Sequence, residues 1–90
     1  MTKKRDLFRE ALNNPSNVKF ADLLTLAKNF GFVHDRTKGS HKIFKRFNDP
    51  RHLISFQPDS KNKKMAKPYQ VRQLLDFIEE NDLKPMVKGQ

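Results

Sequence analysis

Lys38-Gly39-Ser40-His41-Lys42-Ile43-Phe44-Lys45-Arg46 joins a turn to a strand, and the remainder of the chain is laid out around it. Glycine permits a turn or a close backbone approach that other residues resist, and the Ser40 hydroxyl can donate or accept a hydrogen bond. His41 then opens a strand that can hold its ring still. A neutral imidazole is the side chain best suited to take up a proton near neutral pH. Lys38, Lys42, Lys45 and Arg46 supply a positive field that draws a polyanion. These residues predict a base presented to a phosphate backbone; the plainer alternative is an exposed strand histidine beside a turn.

Working outward, residues 32–36 predict a strand, Thr37-Lys38-Gly39 a turn and residues 40–47 a second strand. Asn48-Asp49-Pro50-Arg51 then turns into a third strand over residues 52–57. Three strands with short connections predict an antiparallel meander. With Asp35 opposite His41, Val33, Ile43, Phe47, Ile54 and Phe56 share the core side. Phe32, His34, Lys42, Phe44, Arg46 and Gln57 share the other, and a slip of one residue reverses the two faces.

Upstream, Leu7, Phe8, Ala11 and Leu12 form a helical stripe over residues 3–13. It stops at Asn13-Asn14-Pro15, because proline disfavours helical geometry in the residue before it. Ser16 or Asn17 is placed to cap a second helix over residues 18–29, with Phe20, Leu23, Leu24, Ala27 and Phe30 on its apolar face and Gly31 as its stop. Downstream, residues 58–67 form a polar loop carrying Lys61, Lys63, Lys64 and Lys67. Pro68 suits the first turn of a last helix, whose apolar face holds Tyr69, Val71, Leu74, Leu75, Phe77 and Ile78. From Asp82 onward a frayed tail is expected. The order α-α-β-β-β-α predicts an α+β fold with helices covering one face of a three-stranded antiparallel sheet. We divide it into an N-terminal helical extension (1–17), a main domain (18–81) and a C-terminal tail (82–90).

Ninety residues suffice for one modest core. Lys and Arg number 19 against 10 Asp and Glu, for a formal charge of +9. Residues 37–67 hold nine cations and two carboxylates, so +7 of that charge sits in the middle third. Such a concentration indicates a polyanionic or strongly acidic partner, with excess lysine for solubility as the alternative. Without cysteine the chain has neither disulfides nor thiolate chemistry nor a cysteine zinc site. His34 and His52 stand apart from His41 without a carboxylate pattern, so no metal site is expected. No apolar run approaches the roughly 20 residues that span a bilayer, and a soluble cytoplasmic protein is the expectation.

The order of elements, together with Gly39-Ser40-His41 followed by Ile43-Phe44, resembles the HicA family of toxins from bacterial toxin–antitoxin pairs. Phe20-Ala21-Asp22-Leu23-Leu24, Gly31-Phe32 and Lys67-Pro68-Tyr69-Gln70-Val71-Arg72-Gln73 match the family's opening helix, the turn after it and its closing helix. Where many members carry a further histidine after the third strand, this chain has Pro58-Asp59-Ser60. The resemblance implies a double-stranded-RNA-binding-domain-like fold and cleavage of mRNA without metal or other cofactor. It also implies that His41 is the catalytic residue and that a HicB-type antitoxin neutralises the protein.

On that basis His41 is expected to remove the 2′-OH proton of RNA, while Lys38, Lys42 or Lys45 neutralises the phosphate. Ser40 positions either the phosphate or the loop. Gly39, Arg46, Lys63 and Lys64 complete the expected RNA-binding set, the lysines giving affinity with little sequence preference. Asp35, if opposite His41, can orient its ring. Phe32 and Phe44 stack bases, are covered by the antitoxin or fill the core. A noncatalytic RNA-binding module of the same fold is the alternative function.

Overall fold

The computed structural model describes residues 6–84. Its elements are α1 (Leu7–Asn13), a 3-10 turn (Pro15–Asn17), α2 (Phe20–Asn29), β1 (Phe32–Lys38), β2 (His41–Arg46), β3 (Asp49–Phe56) and α3 (Pro68–Glu80). The strands form one antiparallel sheet in the order β1-β2-β3, with β2 in the centre. Residues of α2 and α3 enclose Phe32, Phe44 and Phe56 on one face of that sheet. The other face is open, and on it Val33 and Leu53 are 41% and 48% exposed.

The expected faces are therefore exchanged on β1 and β2, while Ile54 and Phe56 of β3 keep the core side expected of them. Phe32 and Phe44 fill the core, whereas Val33 and Phe47 are exposed, and of the expected core set only Phe56 is fully buried and Ile54 packs beside it. Val33 and Ile43 still share one face and Phe32 and Phe44 the other; what differs from expectation is the pairing of β3, whose Ile54 stands opposite Phe44 and Phe56 opposite Lys42 instead of on the side of Ile43. β1 runs on through Lys38, the hairpin turns on Gly39-Ser40 alone, and Lys38 stands opposite His41. Gly39 has a φ of +61° while Ser40 stays at negative φ, which is the pattern of a two-residue II′ turn whose twist suits the flanking strands. A bulge between His34 and Arg36 then displaces Asp35 from the ladder. Its carboxylate pairs with Arg36 and with Lys45 at 3.5 Å. It does not face His41, so the expected orienting contact is not made. A second irregularity, between Lys45 and Arg46, lets β3 begin at Asp49 and accommodate Pro50, which an edge strand tolerates.

The helices are anchored by caps and by backbone partners from elsewhere in the fold. Asp6 caps α1 by accepting from the Arg9 N–H at 3.1 Å, and the expected start of this helix at residues 3–5 lies outside the described residues. Ala11 is buried, and the Phe8 ring lies 5.3 Å from that of Phe30 on α2. α2 begins two residues later than expected, and neither Ser16 nor Asn17 caps it. Its first N–H, from Phe20, donates instead to the Lys64 carbonyl at 2.9 Å, and the Ala66 N–H donates to the Val18 carbonyl at 2.8 Å. The loop before α3 thus supplies backbone partners that a capping side chain would otherwise provide. On α3, Val71, Leu74, Leu75 and Ile78 make the buried stripe. Tyr69 lies off that stripe and is 60% exposed, contrary to its expected place on the apolar face.

Candidate RNA-binding and cleavage site

The II′ turn places four of the singled-out residues together. Lys38 and His41 are cross-strand partners, with Gly39 and Ser40 at the tip between them, and all four are exposed. Directly opposed residues on a sheet have Cβ atoms about 5 Å apart, so Lys38 is the cation nearest His41 on the strands. It has no carboxylate partner among the described residues. The His41 ring makes no side-chain hydrogen bond there either, which leaves both nitrogens open to a ligand.

The other expected cations are distributed differently. Lys45 shares the open face with His41 but lies four residues along β2, about 13 Å away at the usual strand rise, and is paired with Asp35. Lys42 projects to the side of Phe44. Arg46 lies on that side too, at the far end of β2, with its guanidinium carbon 5.6 Å from the centre of the Phe32 ring and 5.4 Å from that of Phe77. Its Nε is buried without a hydrogen-bond partner, so the group is held by aromatic faces. Lys63 and Lys64 are exposed in the loop beside the start of α2 and line a shallow groove with Lys19 and Phe20. His34 bonds Thr37 through Nε2 at 2.9 Å and packs its ring on Phe44, and the His52 ring lies 4.7 Å from Phe77. Among the described residues no three His, Cys, Asp or Glu side chains stand close enough to hold a metal ion, and no helix is long and apolar enough to cross a membrane.

Beside His41 the β3 margin and α3 border a shallow, open cleft that the sequence did not reveal. Leu53, Ile54, Ser55 and Gln57 line it from the sheet, and Tyr69, Gln70 and Gln73 from the helix. Gln70 is 6% exposed and accepts from the Gln57 N–H at 3.0 Å, fastening the end of β3 to the first turn of α3. Its amide also donates to the Tyr69 hydroxyl at 3.5 Å. A polar residue interrupting the apolar stripe of α3 was the visible signal for Gln70; nothing local announced that Tyr69 and Gln73 would adjoin His41.

Chemically, an exposed imidazole beside an unpaired ammonium group can accept a proton next to a bound phosphate. A comparison with known families matches residues 20–79, from the start of α2 almost to the end of α3, to the family described as HicA toxin of bacterial toxin-antitoxin. No curated protein and no solved structure matches the chain. The family match covers two thirds of the sequence and the α+β architecture is that of its double-stranded-RNA-binding-domain-like fold. The chain belongs to the HicA family, the toxins of bacterial toxin–antitoxin systems.

Proposed function

We propose that this toxin is an endoribonuclease that cleaves mRNA with His41 as its general base, needing no metal, and that a HicB-type antitoxin neutralises it. RNA carries its own nucleophile. His41 takes the 2′-OH proton, the 2′-oxygen bonds to phosphorus and the bond to the 5′-oxygen breaks, leaving a 2′,3′-cyclic phosphate and, once that oxygen is protonated, a 5′-hydroxyl. Lys38 is the cation best placed to offset charge building on the phosphorane. Ser40 and the Gly39 backbone shape the turn at which the phosphate arrives, while Lys42, Lys45, Lys63 and Lys64 extend the positive path. Arg46, held between two rings, contributes to that path by its field alone. The excess charge of +9 suits an acidic protein as the neutralising partner.

The observation that carries this reading is the direct pairing of Lys38 with His41 across an exposed turn. Its test is incubation of the pure protein, in EDTA, with an RNA and with the all-2′-deoxy equivalent. Only the RNA is expected to be cut. His41→Ala is expected to slow cleavage by about 10²- to 10⁴-fold, the usual worth of a general base, with an unchanged melting temperature. Cleavage of RNA by His41→Ala at the original rate would remove the assignment. Binding of RNA without cleavage by the unaltered chain would make it the noncatalytic module.

A further inference from the structure

Tyr69 is 60% exposed, and its hydroxyl lies within reach of a neighbouring amide. Gln70 is buried, receives the Gln57 N–H on its carbonyl oxygen and donates its amide to the Tyr69 hydroxyl, so the end of β3 helps to fix where that ring stands. Gln73 lies four residues further along α3, on the same helix face as Tyr69. The two line one cleft with Ser55 and His41. Neither Tyr69 nor Gln73 belongs to the buried core, and apart from His41 nothing in that lining is ionisable near neutral pH. An anion has no counter-charge within it. A flat, neutral group with donors and acceptors on its edge does find partners there: an aromatic face to stack on, and an amide and a hydroxyl that both donate and accept.

The geometry points to a nucleobase subsite: Tyr69 stacks one unpaired base of a single-stranded RNA and Gln73, with Ser55, bonds its edge, seating the adjoining ribose against His41. This deepens the cleavage proposed above and rests on it. Tyr69 and Gln73 are positioning residues and take no part in proton transfer. A stacked base tolerates any sequence, whereas an amide that bonds the edge favours some bases over others. The cleft would therefore supply a preference at one nucleotide beside the cut, which the lysines cannot give.

The test compares the full-length protein with Tyr69→Ala, Tyr69→Phe and Gln73→Ala on a panel of short oligoribonucleotides varied at each position around the cut. Tyr69→Ala is expected to raise KM about tenfold with a much smaller change in kcat, Tyr69→Phe to keep the stacking face and raise KM by much less than Tyr69→Ala while losing the bond from Gln70, and Gln73→Ala to flatten the preference at one position only. A second arm uses His41→Ala and an oligoribonucleotide carrying 2-aminopurine, whose fluorescence is quenched when the base stacks; quenching should vanish when Tyr69→Ala is added. Unchanged KM, site preference and quenching in the Tyr69→Ala proteins would overturn the subsite and leave the nuclease intact. A protein that quenches through Tyr69 but cuts nothing would retain the base site and overturn the nuclease.

Discussion

Gly39 sets the bearing of His41. Its φ of +61° lies where an L-residue is strained, and a Cβ added there would meet no atom within 4 Å. Crowding is thus absent, and the backbone alone determines the effect of a substitution. Gly39→Ala should cost about 1–2 kcal/mol of stability, and Gly39→Asn less, because asparagine adopts positive φ more readily; urea unfolding of the two variants measures the difference. Larger losses for both would mean that the turn is held by contacts beyond its own torsion. The part of the site that was legible in the sequence lies here. Glycine, serine and histidine in a row, between cations, mark a turn that presents a base, and each residue acts through its local chemistry. Tyr69 and Gln73 are local to each other but 28 or more residues from His41. Only the packing of α3 against β3 brings them near, and no pattern within either segment encodes that distance.

At the scale of elements, the order of helices and strands follows from periodicity and punctuation: Pro15, Gly31, Gly39 and Pro68 stand at or next to element ends. The faces of the sheet do not follow so simply. Phe32 is followed by Val33, and Ile43 precedes Phe44, so each alternation offers an apolar residue to either side. The pairing of β3 decides between them: Ile54 stands opposite Phe44 and Phe56 opposite Lys42, which puts the side of Phe32 and Phe44 with the core residues of β3. The outcome is measurable. Phe44→Ala, on the central strand and 1% exposed, should cost about 3–5 kcal/mol. Phe47→Ser, at a site 52% exposed, should stay within about 0.5 kcal/mol. Comparable losses at the two positions would restore the opposite register. Similarly, a capping side chain was expected at the start of α2, where backbone groups of residues 64 and 66 arrive from a loop far along the chain. Long-range hydrogen bonds of that kind leave no trace in local composition.

For the molecule as a whole, the +7 carried by residues 37–67 is spread around the fold: Lys38 on the open face, Lys42 and Arg46 on the helix side, Lys63 and Lys64 beside α2. Binding should weaken as salt rises, with a slope of about 0.7 per phosphate neutralised. Replacing both Lys63 and Lys64 by Ala should flatten a plot of log affinity against log salt by about 1.4 if both contact the strand. An unaltered slope would confine the RNA to the hairpin and its cleft. A different consequence follows from α1. The family match starts at residue 20, yet Ala11 is sealed inside and Phe8 rests on Phe30. A fragment trimmed to the boundaries shared with relatives would begin life with a gap in its interior wall, and any sluggishness it showed would report on missing masonry rather than on the chemistry of the hairpin.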